Sequence, residues 1–369
     1  MRHKMPSIPK PKPRILEIEP YVGGLSNIRG QRSVIKLSSN EAALGPSPKA
    51  VEAYRMYDSN LSRYPDGSAR ELRITIGNLN NIDPDKIVCG AGSDELLQLL
   101  CRAYSGPGDE VLFTEHGFLV YRLAALAVGA TPIAVPETDL CADVDKILSS
   151  ISRSTRIIFL ANPNNPTGSY LSRAELRRLW EGLPEDVLLV IDAAYSEFVE
   201  EEDYDSGLEL VEQAANIVVT RTFSKAYALA SLRVGWCYSS VEIINVINRI
   251  RGPFNVTGPG MHAAIEALLD KNHLSSAIDH NSKWLKDLPK NISGSGIICL
   301  PSVANFVLLR FPSSSEKNAL AAEKFLNSRG IILRNLESYG LPDYLRLTLG
   351  LDHEMEFVIS NLNEFMRKL

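Results

Sequence analysis

Between Ile87 and about Ser240, short β-branched apolar runs alternate with longer stretches of helical period, and this alternation limits the fold more than any other feature of the chain. KIVCG is followed by DELLQLLCRAY, EVLFTE by FLVYRLAALAVG and RIIFLANP by RAELRRLWEGL, and DVLLVIDAAY and NIVVTRTF complete the series. The runs are continuous rather than alternating, as in strands covered on both faces. The pattern predicts an α/β fold with a mostly parallel sheet sandwiched by helices. Ligands of such sheets collect beyond the carboxyl ends of the strands, so the residues that follow each run are the candidates for chemistry.

The 369 residues exceed the roughly 250–300 at which one hydrophobic core stops growing, so a second domain is expected. After VEIINVINRIRG and MHAAIEALLDKN, which have helical period, come NFVLLRF, a helix from Glu316 to Ser328, IILR, YLRLTLG and a C-terminal helix, the elements of a smaller α+β domain. The expected division is residues 1–38 as an N-terminal arm contributing to the small domain, 39–260 as the large domain and 261–369 as the small one. Residues 6–13, rich in Pro and Lys, favour an extended arm.

A net charge of −5 with 22% charged residues gives no reason to expect nucleic-acid binding. No apolar run approaches the roughly 20 residues that span a bilayer, and the basic N-terminus lacks the apolar core of a secretory signal. Five scattered cysteines without a C-x-x-C pair read as reduced thiols, and the six histidines show no ligand spacing, so a cytoplasmic protein without a metal is expected.

Four segments carry candidate chemistry. Gly92-Ser93-Asp94-Glu95 follows a strand and opens a helix, where free backbone N–H groups attract a phosphate; an ordinary capped N-terminus is the plainer alternative. Asn162-Pro163-Asn164-Asn165-Pro166-Thr167-Gly168 is a rigid turn able to aim the Asn165 amide, or simply a loop. Asp192 emerges from five apolar residues with Tyr195 three positions on; a carboxylate there needs a cation or hydrogen bonds, although capping the next turn is also possible. In RTFSKAYALASLRVGW, Lys225 lies among Thr222, Ser224 and Arg233, and on its own it could be a solvated loop lysine. Together the four supply what pyridoxal 5'-phosphate requires: an amine for its aldehyde, hydroxyls and a guanidinium for its phosphate, and a carboxylate for its ring nitrogen.

The ordered set GSDE, NPNNPTG, D-x-x-Y and SK followed by LR-x-GW resembles the class I/II aminotransferases of fold type I, over nearly the whole chain. EPYVGG with Tyr21, NEAALGPSP with Asn40, Arg63-Tyr64-Pro65-Asp66, and Arg334 and Arg346 in IILRNLESYGLPDYLRLTLG are most similar to the histidinol-phosphate branch of that family. The resemblance implies that Lys225 holds the cofactor and shuttles the proton, and that Asp192 keeps the pyridine nitrogen protonated. Asn165 and Tyr195 would bond the phenolic oxygen, and Phe118 would stack on the ring. Gly92, Ser93, Asp94, Thr222, Ser224 and Arg233 would hold the phosphate.

Tyr64 would enter from the neighbouring subunit of a homodimer with shared sites, and Tyr21, Asn40, Tyr64, Asn165, Arg334 and Arg346 would meet the substrate. The implied reaction, a step of histidine biosynthesis, moves the amino group of L-glutamate to imidazole-acetol phosphate, giving 2-oxoglutarate and L-histidinol phosphate. An aromatic amino-acid aminotransferase and a phosphothreonine decarboxylase of the same fold share the cofactor residues. The chain departs from the family's N-E-N-P at Asn40-Glu41-Ala42-Ala43 and from A-G-L-R at Ala230-Ser231-Leu232-Arg233, neither change removing a reactive group.

Overall fold

The computed structural model describes residues 10–20, 23–28, 33–313 and 316–367. Its strands are β1 Ile35–Lys36, β2 Ile87–Gly90, β3 Glu110–Thr114, β4 Thr131–Val135, β5 Thr155–Ala161, β6 Leu188–Asp192, β7 Ile217–Thr222, β8 Gly235–Ser239, β9 Ile298–Cys299, β10 Phe306–Arg310, β11 Ile331–Ile332, β12 Arg334–Asn335 and β13 Tyr344–Thr348. The helices are α1 Pro48–Met56, α2 Arg70–Asn80, α3 Ser93–Tyr104, α4 Val120–Val128, α5 Val144–Ser149, α6 Arg173–Glu181, α7 Leu208–Val211, α8 Val241–Ile250, α9 Gly258–Leu269, α10 Lys271–Asn291, α11 Ala319–Ser328 and α12 Asp352–Arg367.

Seven strands form the central sheet in the order β2-β8-β7-β6-β5-β3-β4. Its pairs are parallel except those of β8, which runs against both β2 and β7. Every residue of β6, β7 and β8 is buried. Each Val, Leu or Ile so covered contributes about 1.5–3 kcal/mol, which is why these segments read as unbroken apolar runs. One core lies on each face of the sheet. Leu189, Ile191 and Val219 belong to one, and Val190, Phe159 and Val218 to the other, as the two-residue period of a strand requires.

Two strands of this sheet carry no clear sequence signal. β4 holds Pro132, pairs only with β3 and is largely half-exposed, so it occupies the edge position that tolerates proline. β8 opens on Gly235 and contains Trp236, Cys237 and Tyr238, too short and mixed a run to separate from the loop before it. The 21-residue α10 also goes unread from its pattern, and it carries Pro289 near its end.

The second layer is a four-stranded antiparallel sheet, β12-β13-β10-β9, packed with α11 and α12 around Trp284, Leu288, Leu309, Leu347 and Val358. β1 pairs in parallel with β11, and Leu37 joins that same core, whereas Arg14 donates to the Ala130 carbonyl at 3.1 Å and to Thr131 Oγ1 at 2.9 Å beside the large sheet. The helix expected from Glu316 starts at Ala319, where the Asn318 side chain accepts a bond from Ala321 N at 2.9 Å as its N-cap. Residue 260, the expected division, lies inside α9, whose Met261, Ala264 and Leu268 share a core with Ile191 and Val219 of the large sheet.

Candidate active site

The carboxyl ends of β2, β5, β6 and β7 open on one side of the sheet, and a cavity of about 340 Å³ lies there against the small domain. β8 is antiparallel, so the chain must turn back as soon as it leaves β7. That return, residues 223–234, carries Lys225 and Arg233 to the same cavity.

At one end of the cavity α3 begins. Its N-cap, Gly92, has φ 81 and gives no side-chain cap, so the first N–H groups of the helix, at Ser93 and Asp94, have no capping acceptor. A Cβ at Gly92 would run into the Arg233 guanidinium, and one at Gly235 would run into Ser93 N. Glycine at both positions therefore lets the arginine and the helix terminus come together. Arg233 Nη1 donates to Ser224 Oγ at 3.3 Å and to the Ala230 carbonyl at 3.1 Å, and Nη2 donates to Asp94 Oδ2 at 3.2 Å. Thr222 Oγ1 accepts from Ser224 N at 3.1 Å. The Arg233–Asp94 pair is solvent-screened and weak, and an arriving anion can replace it.

Asp192 ends β6 and is only 5% exposed. Tyr121 Oη donates to its Oδ2 at 2.8 Å and Thr220 Oγ1 to its Oδ1 at 3.2 Å. Burial pushes the carboxyl up to about 6 against those two donors, with the Asp94 charge adding to the upward push. Lys225 Nζ donates to the Ser39 carbonyl at 3.4 Å and lies 5.6 Å from the centre of the Tyr195 ring. Burial, aided by the Arg346 charge, lowers the lysine to about 8, while Asp94 and Glu41 act the other way. Tyr195 is buried and is raised to about 12 chiefly by that burial. Its Oη accepts a 2.8 Å bond from Asn40 Nδ2, which leaves the phenol hydrogen to point elsewhere.

The small domain closes the cavity with two arginines. Arg334 on β12 and Arg346 on β13 are direct antiparallel partners, so their side chains leave the sheet on one face. Arg346 is 5% exposed; it donates to Asn165 Oδ1 and, at 2.9 Å, to the Ser38 carbonyl, and its guanidinium lies 5.3 Å from the Phe306 ring centre. Arg334 and Tyr339 line the same space.

Of the residues expected from sequence, Lys225, Asp192, Tyr195, Ser93, Asp94, Phe118, Asn165, Thr222, Ser224, Arg233, Asn40, Arg334 and Arg346 line this one cavity, and Gly92 shapes its edge. Asn40 reaches it with its amide already committed to Tyr195 and its backbone N–H to Thr348 Oγ1 at 2.9 Å. Tyr64 does not line it: this ring is 82% exposed and stacks on Phe254 at 4.6 Å. Tyr21 lies outside the described residues. Sequence reasoning missed Tyr121, Thr220, Tyr339 and the carbonyls of Ser38 and Ser39. Thr220 could have been found by the strand period, two residues before Thr222. The backbone acceptors leave no trace in residue types. Among the described residues no cluster of three or more His, Cys, Asp or Glu could hold a metal ion.

The sequence pattern of the family described as "Aminotransferase class I and II" matches residues 32–361. A histidinol-phosphate aminotransferase of Paramagnetospirillum magneticum is 53% identical over 97% of this chain and 99% of its own length. One from Rhodopseudomonas palustris is 49% identical over 98% of this chain and all of its own. The crystal structure of the Sinorhizobium meliloti histidinol-phosphate aminotransferase in complex with pyridoxal-5'-phosphate superposes with a TM-score of 0.89 at 26% identity, covering 99% of both chains. With the geometry of the cavity and a match across most of its length, the chain belongs to the class I and II aminotransferase family.

Proposed function

We propose that this chain transfers the amino group of L-glutamate to imidazole-acetol phosphate, giving 2-oxoglutarate and L-histidinol phosphate, with pyridoxal 5'-phosphate as cofactor. The carrying observation is the pairing of Arg334 and Arg346 across β12 and β13 beside Lys225, in a chain 53% identical to a histidinol-phosphate aminotransferase. A guanidinium fork accepts either a carboxylate or a phosphate, so one pair can serve the dicarboxylate donor and the phosphorylated acceptor in turn.

The residues present fit the cofactor. The Gly92 cradle would be filled by a Cβ, and the uncapped N–H groups, Thr222, Ser224 and Arg233 make a dianion site at one end of the cavity. Asp192 offers a buried carboxylate to a ring N–H⁺, Asn165 and Tyr195 would donate to the phenolic oxygen, and Phe118 supplies a stacking face. When bound, pyridoxal phosphate supplies the aldehyde that carries the amino group and a ring that withdraws the electrons left at the substrate's α-carbon.

Lys225 Nζ does the proton work. An amine at about 8 is roughly one-tenth neutral at pH 7, against about one part in three thousand for an ordinary lysine. It takes the proton from the α-carbon of glutamate and, in the second half-reaction, delivers one to the former keto carbon of the acceptor. Arg346 and Arg334 hold the substrate anions and so orient that carbon toward Nζ. Asn165 links the two tasks, because its Oδ1 already binds Arg346. Asn40, whose amide donates to the Tyr195 hydroxyl, lines the cavity where the substrate would sit.

We place the protein in the cytoplasm as a homodimer in which Tyr64 of one copy completes the site of the other. Exposed Tyr54, Met56, Leu61, Tyr64 and Phe254 support such a contact. The large domain runs from residue 39 into α10 and the small domain follows, with Ile35–Leu37 joining it through β1, while Arg14 further up the chain bonds the large domain at the Ala130 carbonyl and Thr131 Oγ1.

The test is a single-turnover screen in which glutamate-treated enzyme is offered imidazole-acetol phosphate, phenylpyruvate and 4-hydroxyphenylpyruvate, and the amino product is measured. Imidazole-acetol phosphate is expected to react fastest. A clear preference for either aromatic keto acid would overturn the substrate while leaving the reaction class intact.

A further inference from the structure

The groups around Asp192 come from several elements. Thr220 and its 3.2 Å bond come from the neighbouring strand β7, and Ala194 contributes a backbone N–H from the turn after β6. Tyr121 comes from the first turn of α4 and is fully buried. Its ring stacks face to face on Phe159 at 4.7 Å and 5°, and meets Phe118 edge-on at 5.8 Å and 89°. With Phe113 also 6.5 Å away, three ring contacts fix the ring, and its hydroxyl ends 2.8 Å from Asp192 Oδ2. Burial, with the Asp192 charge beside it, keeps the phenol protonated, so toward the carboxylate Tyr121 acts as the donor. Asp94 on α3 and the Tyr195 hydroxyl face the same pocket, and both Asp94 and burial favour a neutral Asp192.

We propose that Tyr121 is a positioning residue whose hydroxyl holds the Asp192 carboxylate ionised and turned toward the ring nitrogen of bound pyridoxal phosphate. The inference rests on the assignment of Asp192 to that nitrogen. A charged hydrogen bond from a fixed donor favours the anion over the neutral acid, which offsets the cost of burial. Tyr121 therefore sets how far the pH can fall before the cofactor loses its ionic partner, without touching the reacting carbon.

The test is equilibrium dialysis of the holoenzyme across a pH series, with the retained cofactor measured by absorbance, for the wild type, Tyr121→Phe, Asp192→Asn and the double variant. Tyr121→Phe keeps the ring contacts, so its circular dichroism is expected to match the wild type. The acid limb of retention should move to higher pH by about one unit, which is about tenfold weaker retention at a given pH on the limb. In the Asp192→Asn background, which has no carboxyl to titrate, Tyr121→Phe should produce no further shift. An unmoved limb in Tyr121→Phe, or an equal shift in the Asp192→Asn background, would overturn the role of Tyr121. Retention by Asp192→Asn equal to the wild type would instead overturn the assignment of Asp192.

Discussion

Replacing Gly92 by alanine separates two costs that the cavity edge combines. Gly92 has φ 81 and ψ 166, a region open in practice only to glycine, where a side chain adds about 1–3 kcal/mol of strain. That strain exists with or without cofactor, so it should lower the melting temperature by a few degrees. The second cost is local. The new Cβ would collide with the Arg233 guanidinium, which has to leave its place beside Ser224 and Asp94. If the displaced arginine loses one charge-assisted bond to the cofactor phosphate, the loss is about 1.5–3 kcal/mol, or roughly ten- to a hundredfold in cofactor affinity. Calorimetry of the cofactor-free protein reads the first cost, and titration with pyridoxal phosphate reads the second. An Arg233→Met variant should show the second loss with little of the first. Wild-type affinity in Gly92→Ala would refute the phosphate cradle, whatever happened to stability.

The lowered lysine predicts that covalent cofactor attachment by the cofactor-free protein speeds up as pH rises through about 8, since only the neutral amine is a nucleophile. Arg346→Met removes a neighbouring positive charge and should move that midpoint upward; a midpoint that stays in place would show that burial acts alone. Mixing Tyr64→Phe with Lys225→Ala subunits should restore activity through dimers that hold one intact site, and activity no higher than either parent after proven subunit exchange would argue against sharing.

Much of this site could be read directly from the chain, because its cofactor groups leave the sheet at strand ends and the strands announce themselves. Asp192 follows a run of apolar residues, and Thr222, Ser224, Lys225 and Arg233 fall within twelve consecutive positions. What could not be read depends on distances across the fold. Tyr121 lies 71 residues from the carboxylate it serves, and nothing in GFLVY distinguishes its ring from ordinary core. Asn40 and Tyr195 are 155 residues apart, so the bond between their side chains has no sequence signature. β4 is hidden because Pro132 contradicts a central strand, and the expected division at residue 260 falls inside α9 because an apolar helical face does not reveal which core it joins.

The register of β12 on β13 gives the two arginines unequal freedom. β13 is held on both sides, with Arg346 opposite Leu308 on β10 and opposite Arg334 on β12, so a slip of one residue would turn Arg346 into the wrong layer and take the buried leucines with it. β12 is a two-residue edge strand, and Arg334 stands half-exposed on it. One anion-binding group is therefore anchored in the core of the sheet, whereas the other stands at its edge. A change of substrate in this scaffold would be cheapest at the edge, with the inner arginine serving as a constant reference point for whatever acid is bound.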